Sequence, residues 1–270
     1  MANPAAQDVR VRDVIDTAPR FAETDVIRLN NLFRGEEAAD MVAAVLGGDL
    51  IGDAAIVSSF GTESAVLLHL VTQAKPDVPV LFLDTGKHFP ETLAYRDQLA
   101  ELLGLNIISL TPDPDDIAEK DATQLRWSYD PDGCCEIRKV KPLEKALAKF
   151  DASITGRKGF QASTRQGLPR FEPDGDSGRL KMNPLANWTR DMLDAYFETH
   201  NLPRHPLESQ GYPSIGCSPC TSKVQPGEDP RSGRWRGWDK TECGIHSAVT
   251  PIGGGPSTDP SDDPANEPAF

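Results

Sequence analysis

Residues 53–71 have the sequence DAAIVSSFGTESAVLLHLV, in which a loop of small and hydroxyl residues joins two apolar runs. The first run, residues 53–59, predicts a short buried strand, and the second, residues 65–71, predicts a helix. A helix that begins directly after a strand presents unpaired backbone N–H groups and the positive end of its dipole. The loop at residues 58–64 is therefore a candidate anion site, although the same residues also suit an ordinary turn and helix cap.

The same alternation continues along the chain and decides the fold class. Residues 78–83 and 105–110 predict further strands, with a helix over Pro90–Leu103 between them and another strand at residues 152–155. Alternating strands and helices favour right-handed crossovers, so the predicted fold is α/β, with a mostly parallel sheet flanked by helices. Ligands bind beyond the carboxyl ends of such strands, which makes Asp84, Thr85 and Gly86 candidates, or simply a capped strand end.

The remaining segments suggest four regions. Residues 1–22 lack periodicity and are interpreted as an N-terminal arm, and residues 23–202 as the α/β nucleotide-binding domain. Residues 203–250 are rich in Pro, Gly, Cys and Arg and predict an irregular C-terminal segment fastened by its cysteines. Residues 251–270 hold five prolines, four acids and no base, a composition typical of a disordered acidic tail.

Composition and charge exclude several classes of protein. The chain has 41 acidic and 28 basic residues, a net charge of -13, which argues against a nucleic-acid binder that relies on phosphate attraction. No apolar run suits a signal peptide or a membrane span, so we expect a cytoplasmic protein. In a reducing compartment, cysteines more often bind metals or act as nucleophiles than form disulfides.

The cysteines divide into four and one. Cys134 and Cys135 are adjacent, Cys217 and Cys220 form a C-x-x-C pair, and Cys243 stands apart near the C-terminal end. Both zinc and an iron-sulfur cluster accept four thiolates, and adjacent thiolates suit two irons of a 4Fe-4S cluster better than one small ion. Zinc and buried cysteines without a metal remain the alternatives.

Cys243 is the candidate nucleophile, because it lies in a polar segment with His246 three residues later and basic residues upstream. Lys139 lies four residues beyond Cys135 and would face it if the segment is helical. The basic residues form three clusters that could bind a small anion or remain solvated. They are Arg138, Lys139 and Lys141; Arg157, Lys158 and Arg165; and Arg231, Arg234 and Arg236.

These motifs, in this order, resemble the assimilatory adenylyl-sulfate and phosphoadenylyl-sulfate reductases over roughly residues 50–246. The shared motifs are Ser-Ser-Phe-Gly-Thr-Glu-Ser at 58–64, Leu-Asp-Thr-Gly-Lys at 83–87, Cys-Cys-x-x-Arg-Lys at 134–139, Cys-Ser-Pro-Cys at 217–220, Gly-Arg-Trp at 233–235 and Glu-Cys-Gly-Ile-His at 242–246. The resemblance implies an adenine nucleotide alpha-hydrolase-like fold, similar to the ATP pyrophosphatases. Its cysteine set implies the cluster-containing branch, which mainly uses adenylyl sulfate.

The resemblance also implies a reaction and a set of site residues. The Cys243 thiolate would attack adenosine 5'-phosphosulfate, displace AMP and become S-sulfocysteine, from which reduced thioredoxin or glutaredoxin releases sulfite. The implied cluster ligands are Cys134, Cys135, Cys217 and Cys220, and the cluster would pass no electrons. The sulfate and phosphate end would be lined by Lys139, Arg231, Arg234 and His246, with Arg157 and Arg165 as further candidates. The other implied substrate-binding residues are Ser58, Ser59, Phe60, Gly61, Thr62, Ser64, Leu83, Asp84, Thr85 and Gly86.

Three alternatives remain open from the sequence. The chain could reduce phosphoadenylyl sulfate, or both nucleotides. It could be a zinc-stabilised nucleotide-binding protein without turnover, or an ATP-dependent ligase or sulfurtransferase, which Phe60 and Glu63 in the phosphate loop disfavour. By resemblance we also expect a possible homo-oligomer, and a Cys243 segment that closes over the site and opens again.

Overall fold

The computed structural model describes residues 20–161, 165 and 167–245. Most of the predicted N-terminal arm, His246 and the predicted acidic tail lie outside these residues. Within them, no helix is both long enough and apolar enough to cross a bilayer.

Helices and strands alternate along the described chain. The helices are α1 (Glu23–Leu32), α2 (Ala38–Gly47), α3 (Ser64–Ala74), α4 (Pro90–Leu103), α5 (Pro114–Lys120), α6 (Pro131–Cys135), α7 (Lys141–Leu147) and α8 (Arg190–Thr199). The strands are β1 (Ala54–Ser58), β2 (Pro79–Leu83), β3 (Asn106–Leu110), β4 (Ala152–Thr155), β5 (Phe171–Pro173) and β6 (Leu180–Met182). A π-helical turn, Glu136–Val140, joins α6 to α7, and 3₁₀ turns span Arg126–Ser128, Gly159–Gln161, Glu208–Gln210 and Ser218–Cys220.

Among the described residues the strands form one six-stranded sheet in the order β3-β2-β1-β4-β6-β5. Every pair of neighbouring strands is parallel except β5 and β6, which are antiparallel. Ile56 of β1 lies opposite Val80 on one side and Ile154 on the other. The predicted mostly parallel α/β sheet is thereby confirmed, and β5 is an additional edge strand that the sequence analysis did not predict.

The two faces of the sheet explain why its central strands are apolar throughout. Ile56 and Val80 pack into a large cluster with residues of α2, α3 and α8. Their chain neighbours Ala55 and Leu81 face the other way and pack against Leu143 and Leu147 of α7. Successive side chains of a strand point to opposite faces, so a strand covered on both sides has no polar alternation.

Candidate active site

The main pocket lies at the carboxyl ends of the central strands β1, β2 and β4. The end of β1 and the loop after it contribute five of the residues that the sequence analysis proposed for substrate binding, Ser58, Ser59, Gly61, Thr62 and Ser64. Leu83 ends β2, and Arg157 follows β4. The C-terminal segment completes the wall with Arg231, Arg234, Glu242 and Cys243, so loops from four places in the chain meet here.

Phe60 differs from its neighbours in the loop after β1. Its side chain is fully buried in the core and packs edge-on against Phe82, with ring centroids 5.4 Å apart. Phe60 has a positive φ of 50°, and its backbone N–H donates to Ser58 Oγ at 3.2 Å. The ring therefore anchors the loop from below and is not among the residues that line the pocket, so the predicted substrate-binding role of Phe60 would fall to its backbone.

Leu83 and the three residues after it line different pockets. Leu83 lines the main pocket, whereas Asp84, Thr85 and Gly86 line a separate open depression beside α5. Thr85 is fully buried, and its Oγ1 lies 3.3 Å from Cys217 Sγ. The structure thus does not bring Asp84, Thr85 and Gly86 to the main pocket; Thr85 instead contacts the cysteine region.

A small second cavity lies next to the main pocket and is lined by Cys134, Cys135, Cys217 and Cys220. The first pair ends α6, where Pro131 begins the helix and Asp130 Oδ1 accepts a hydrogen bond from the Gly133 N–H at 2.8 Å. The second pair flanks a 3₁₀ turn that is fixed from both sides. Ser218 N–H donates to Lys87 O at 2.7 Å, and Trp235 N–H donates to Cys220 O at 3.0 Å.

The geometry of the cysteine cavity bears on what it could hold. Among the described residues, no three His, Cys, Asp or Glu side chains form a group suited to a single metal ion. Burial raises the pKa of the Cys135 thiol to about 12 and also raises that of Cys134 and Cys220. Burial opposes ionisation of Cys217 too, but Lys139, Thr85 and Arg234 outweigh it and lower the pKa of that thiol.

Two residues that line the cysteine cavity have buried N–H groups without a hydrogen-bond partner in the described chain, Nε of Arg138 and Nε1 of Trp235. The rest of the Arg138 guanidinium is fully engaged. It donates to Asp121 Oδ2 and Gln124 Oε1, each at 2.6 Å, and to Thr85 O at 3.0 Å. Buried N–H groups normally find an acceptor, so these two are suited to a ligand that carries acceptor atoms.

Lys139 lies at the boundary between the two cavities, because it lines both. The π-helical turn places it on the same helical stretch as Cys135, as the sequence analysis predicted. Burial would lower the pKa of Lys139, but interaction with the sulfur atoms of Cys217, Cys243 and Cys135 outweighs burial and raises this pKa above its usual range. Lys139 is therefore a cation that faces both the cysteine cavity and the main pocket.

The segment that carries Cys243 lines the main pocket. Glu242 pairs with Arg165 at 2.8 Å and with Arg231 at 3.3 Å, and Arg231 also donates to Thr241 O at 2.7 Å. Beyond Cys243, Gly244 turns the chain with a φ of 85°, and Ile245 packs against the smaller apolar cluster of the sheet. The structure thus gathers the predicted residues Lys139, Arg165, Arg231, Arg234 and Cys243 around one pocket.

Arg234 occupies a narrow place in this pocket. Its guanidinium lies 4.5 Å from the centre of the Trp235 ring and against Gly216, where a Cβ would overlap it. Burial lowers the pKa of Arg234, with nearby Arg231 acting in the same direction. Only a glycine at position 216 leaves room for this guanidinium.

Arg157 lines the pocket, but its charge is already paired. Its guanidinium contacts Glu172 and lies 3.3 Å from Asn183 Oδ1 and 3.4 Å from Thr155 Oγ1. Burial, together with the charge of neighbouring Arg165, lowers the pKa of Arg157 to about 10. The guanidinium of Arg157 is thus held in place by side chains in and next to strands β4, β5 and β6.

Sequence reasoning missed a buried charge cluster at the other end of the pocket. Glu63 accepts from Lys158 Nζ at 2.6 Å and from Gln161 Nε2 at 2.8 Å, and it pairs with Arg190 at 2.6 Å. Burial would raise the pKa of Glu63, but Lys158 and Arg190 outweigh it and lower that pKa. One feature of the sequence could have revealed this cluster: Glu63 is a carboxylate within the predicted anion-binding loop. A carboxylate in such a loop requires cationic side chains from other parts of the chain.

Comparison with known proteins follows this geometry. The sequence profile of the phosphoadenosine phosphosulfate reductase domain matches residues 53–223. A protein from Mesorhizobium japonicum named adenosine 5'-phosphosulfate reductase is 53% identical over 71% of this chain and 75% of its own. The chain belongs to this reductase family.

Two further relatives place the chain within the reductase family. A protein from Gloeobacter violaceus named phosphoadenosine 5'-phosphosulfate reductase is 45% identical over 71% of this chain and 81% of its own. The crystal structure of a phosphoadenylyl-sulfate reductase from Candida auris, a phosphate complex, matches with a TM-score of 0.64 and 26% identity, covering 76% of this chain and 98% of that one. The predicted family and the adenine nucleotide alpha-hydrolase-like fold are confirmed, and the chain is an oxidoreductase that acts on sulfur.

Proposed function

We propose that this chain reduces adenosine 5'-phosphosulfate to sulfite and AMP in sulfate assimilation, with Cys243 as the nucleophile. The observation that carries the proposal is the position of Cys243 in a pocket at the carboxyl ends of the strands, beside Lys139, Arg165, Arg231 and Arg234. The name of the relative from Mesorhizobium japonicum supports the choice of substrate.

In the proposed first step, Cys243 Sγ attacks the substrate sulfur and forms a sulfur–sulfur bond. The bond from that sulfur to the bridging oxygen breaks, and its electron pair leaves with AMP. In the second step a thiol of reduced thioredoxin or glutaredoxin attacks Cys243 Sγ, and sulfite leaves with the electron pair of the sulfur–sulfur bond. The second thiol of the partner then closes its disulfide and frees Cys243, so the partner supplies both electrons.

The surrounding cations fit the charge that moves during this reaction. Negative charge develops on the phosphate oxygen of the departing AMP, and preorganised cations stabilise such charge most effectively in a site shielded from water. Lys139, Arg231 and Arg234 would serve this role, with Arg165 beside them. His246 stays a predicted catalytic residue, and the loop after β1 with Leu83 would hold the nucleoside.

We also propose that Cys134, Cys135, Cys217 and Cys220 hold a 4Fe-4S cluster. Their common cavity and the unpartnered N–H groups of Arg138 and Trp235 support this proposal, because cluster sulfurs accept such hydrogen bonds. When bound, the cluster would fasten the two cysteine segments together and supply a fixed charge beside Lys139.

The visible spectrum and the iron and sulfide content of anaerobically purified protein test the cofactor. A brown protein with about four irons per chain supports the cluster. A colourless protein with one tightly bound zinc contradicts it and favours the alternative of a zinc-stabilised nucleotide-binding protein.

Sulfite release measured with reduced thioredoxin tests the reaction and its substrate. Adenosine 5'-phosphosulfate should give the higher kcat/KM. Preference for the 3'-phosphorylated nucleotide, or equal use of both, would favour the alternative suggested by the name of the Gloeobacter violaceus relative. Absence of sulfite with either nucleotide would contradict the proposed function.

We further propose a cytoplasmic location. None of the five cysteines forms a disulfide in the structure, which agrees with a reducing compartment and with thioredoxin as the reductant. A homo-oligomer stays a prediction that analytical ultracentrifugation would test.

A further inference from the structure

The carboxylate of Glu242 lies inside the main pocket and pairs with two of its cations. Its Oε1 accepts from Arg165 Nε at 2.9 Å, and its Oε2 lies 3.3 Å from Arg231 Nη2. These arginines belong to the set that would meet the sulfate and phosphate of the substrate. A side-chain carboxylate therefore holds cations that a substrate anion would also require.

Burial makes this pairing necessary when no anion is bound. The side chains of Arg165 and Arg231 are only 10% and 18% exposed. A buried guanidinium without a partner is costly, and burial lowers the pKa of Arg165 while Glu242 opposes that change. Glu242 thus compensates a charge that the pocket has prepared for another anion.

The pairing also fixes the position of the neighbouring Cys243. Before Cys243 the segment is held by Glu242, by the hydrogen bond from Arg231 to Thr241 O, and by an ion pair between Lys240 and Asp132. After Cys243 it is held by Ile245, which packs against apolar residues of the sheet. An anion that displaced Glu242 would remove one of these attachments and leave the others in place.

We propose that Glu242 is a positioning residue that competes with the anionic groups of the substrate for Arg165 and Arg231. Nucleotide binding would thereby remove one of the attachments that hold the Cys243 segment. This inference rests on the proposed function, because it takes the ligand to be a nucleotide with phosphate or sulfate groups. It predicts that removing the charge of Glu242 strengthens anion binding while it loosens the segment.

The test compares Glu242→Gln with the wild-type chain and with Glu228→Gln. Glu228 pairs with Arg236 at 3.0 Å in the same C-terminal segment, but neither residue lines the pocket, so this variant is a matched control. Calorimetric titration with AMP, and separately with inorganic phosphate, gives the affinities. Glu242→Gln should bind AMP about tenfold more tightly than wild type, a change within the usual range of coupling between sites, and Glu228→Gln should match wild type.

Two further measurements separate competition from a general structural defect. Hydrogen exchange at residues 241–245 should be faster in ligand-free Glu242→Gln, and AMP should accelerate it in wild type. In sulfite release, Glu242→Gln should lower both KM and kcat, whereas a merely misfolded variant would not lower KM.

The outcomes distinguish this inference from the proposed function. AMP affinity in Glu242→Gln that equals or falls below wild type contradicts the competition. If AMP fails to bind wild type but phosphate binds Glu242→Gln more tightly than wild type, the competition stands and the nucleotide substrate is wrong. If neither ligand binds any of the three proteins, no anion enters the pocket and both are contradicted.

Discussion

The Cys243 thiol faces a pocket in which cationic side chains outnumber carboxylates. A serine at position 243 would keep the shape of the side chain, but its hydroxyl is a poor nucleophile without an adjacent base. We expect Cys243→Ser to lower sulfite release by at least about 10³-fold, with AMP affinity changed by less than about twofold. Sulfite assays and AMP titration check this, and a variant that kept a tenth of the activity would contradict the assignment of Cys243.

Gly216 offers a way to test Arg234 without replacing it. A Cβ at position 216 would overlap the Arg234 guanidinium, which is the mobile end of a long side chain, so the fold should tolerate alanine while the arginine moves away. We expect Gly216→Ala to weaken AMP binding by about tenfold, as for the loss of one charge-assisted contact. Gly47→Ala is the matched control, because a Cβ there meets no atom within 4 Å. Unchanged AMP affinity in Gly216→Ala would show that Arg234 does not bind the nucleotide.

The candidate role of a residue could be predicted where it depends on the residue type and its neighbours in sequence. It could not be predicted where it depends on a partner that is distant in the chain. The four cysteines of the second cavity and Cys243 were identified from residue type and spacing. The burial of the Phe60 ring could not be predicted, because its direction depends on Phe82 of strand β2. The ion pair of Glu242 could not be predicted, because its partner Arg165 is 77 residues away.

Some helices and strands could be predicted from sequence signals, and others could not. Helix α4 begins and ends as predicted, since Pro90 suits its first turn and Gly104 ends it with a φ of 63°. Strand β5 escaped prediction because three residues that include Pro173 are too few for a pattern. The π-helical turn after Cys135 also has no sequence signature of its own.

Glu63 links three elements, because its carboxylate joins the loop before α3 to the turn Gly159–Gln161 and to the start of α8. Replacing Glu63 with Gln leaves the buried Lys158 ammonium without its counter-charge. We expect Glu63→Gln to lower the free energy of unfolding at pH 7 by about 2–4 kcal/mol, measured by urea denaturation.

The difference in the free energy of unfolding between wild type and Glu63→Gln should depend on pH in a definite direction. The folded pKa of Glu63 lies below its ordinary value of 4.5, so its stabilisation is present above that pH and lost as pH falls through the folded pKa. The gap between wild type and Glu63→Gln should therefore narrow below about pH 4.5. Glu101→Gln on the exposed surface of α4 is the control, and a gap that stays constant down to pH 3 would contradict the linkage.

For the molecule as a whole, the proposed cofactor would join two segments that are far apart in the chain, α6 and the turn Ser218–Cys220. We expect anaerobic removal of the cofactor to lower Tm by on the order of 5–10 °C, because binding energy at such a site is also folding energy. Thermal melts with parallel iron analysis measure the change. On cofactor removal, the Tm of Cys243→Ser should fall by the same amount as that of wild type. Cys217→Ser should have a low Tm before any treatment. An unchanged Tm in the cofactor-free protein would contradict the proposal that the cofactor holds the two segments together.

The global architecture was predictable in kind but not in detail. Alternating apolar strands and helices indicated a parallel sheet, because only crossovers of that length connect parallel neighbours. The strand order could not be derived, since β1 pairs with β4 through contacts such as Ala54 with Ala152 that no local pattern encodes. The convergence of three loops and the C-terminal segment on one pocket follows from that order.

The strand order and the positions of the cysteines also set a sequence of events during synthesis. The chain emerges from the ribosome with β1, β2 and β3 first, and each can pair with its neighbour as it appears. Cys134 and Cys135 leave the ribosome long before Cys217 and Cys220, so the nascent chain exposes only two of the four thiols for a time. Any group held by all four can be installed only after Cys220 has left the ribosome, so the proposed cofactor would be delivered after every strand of the sheet has emerged.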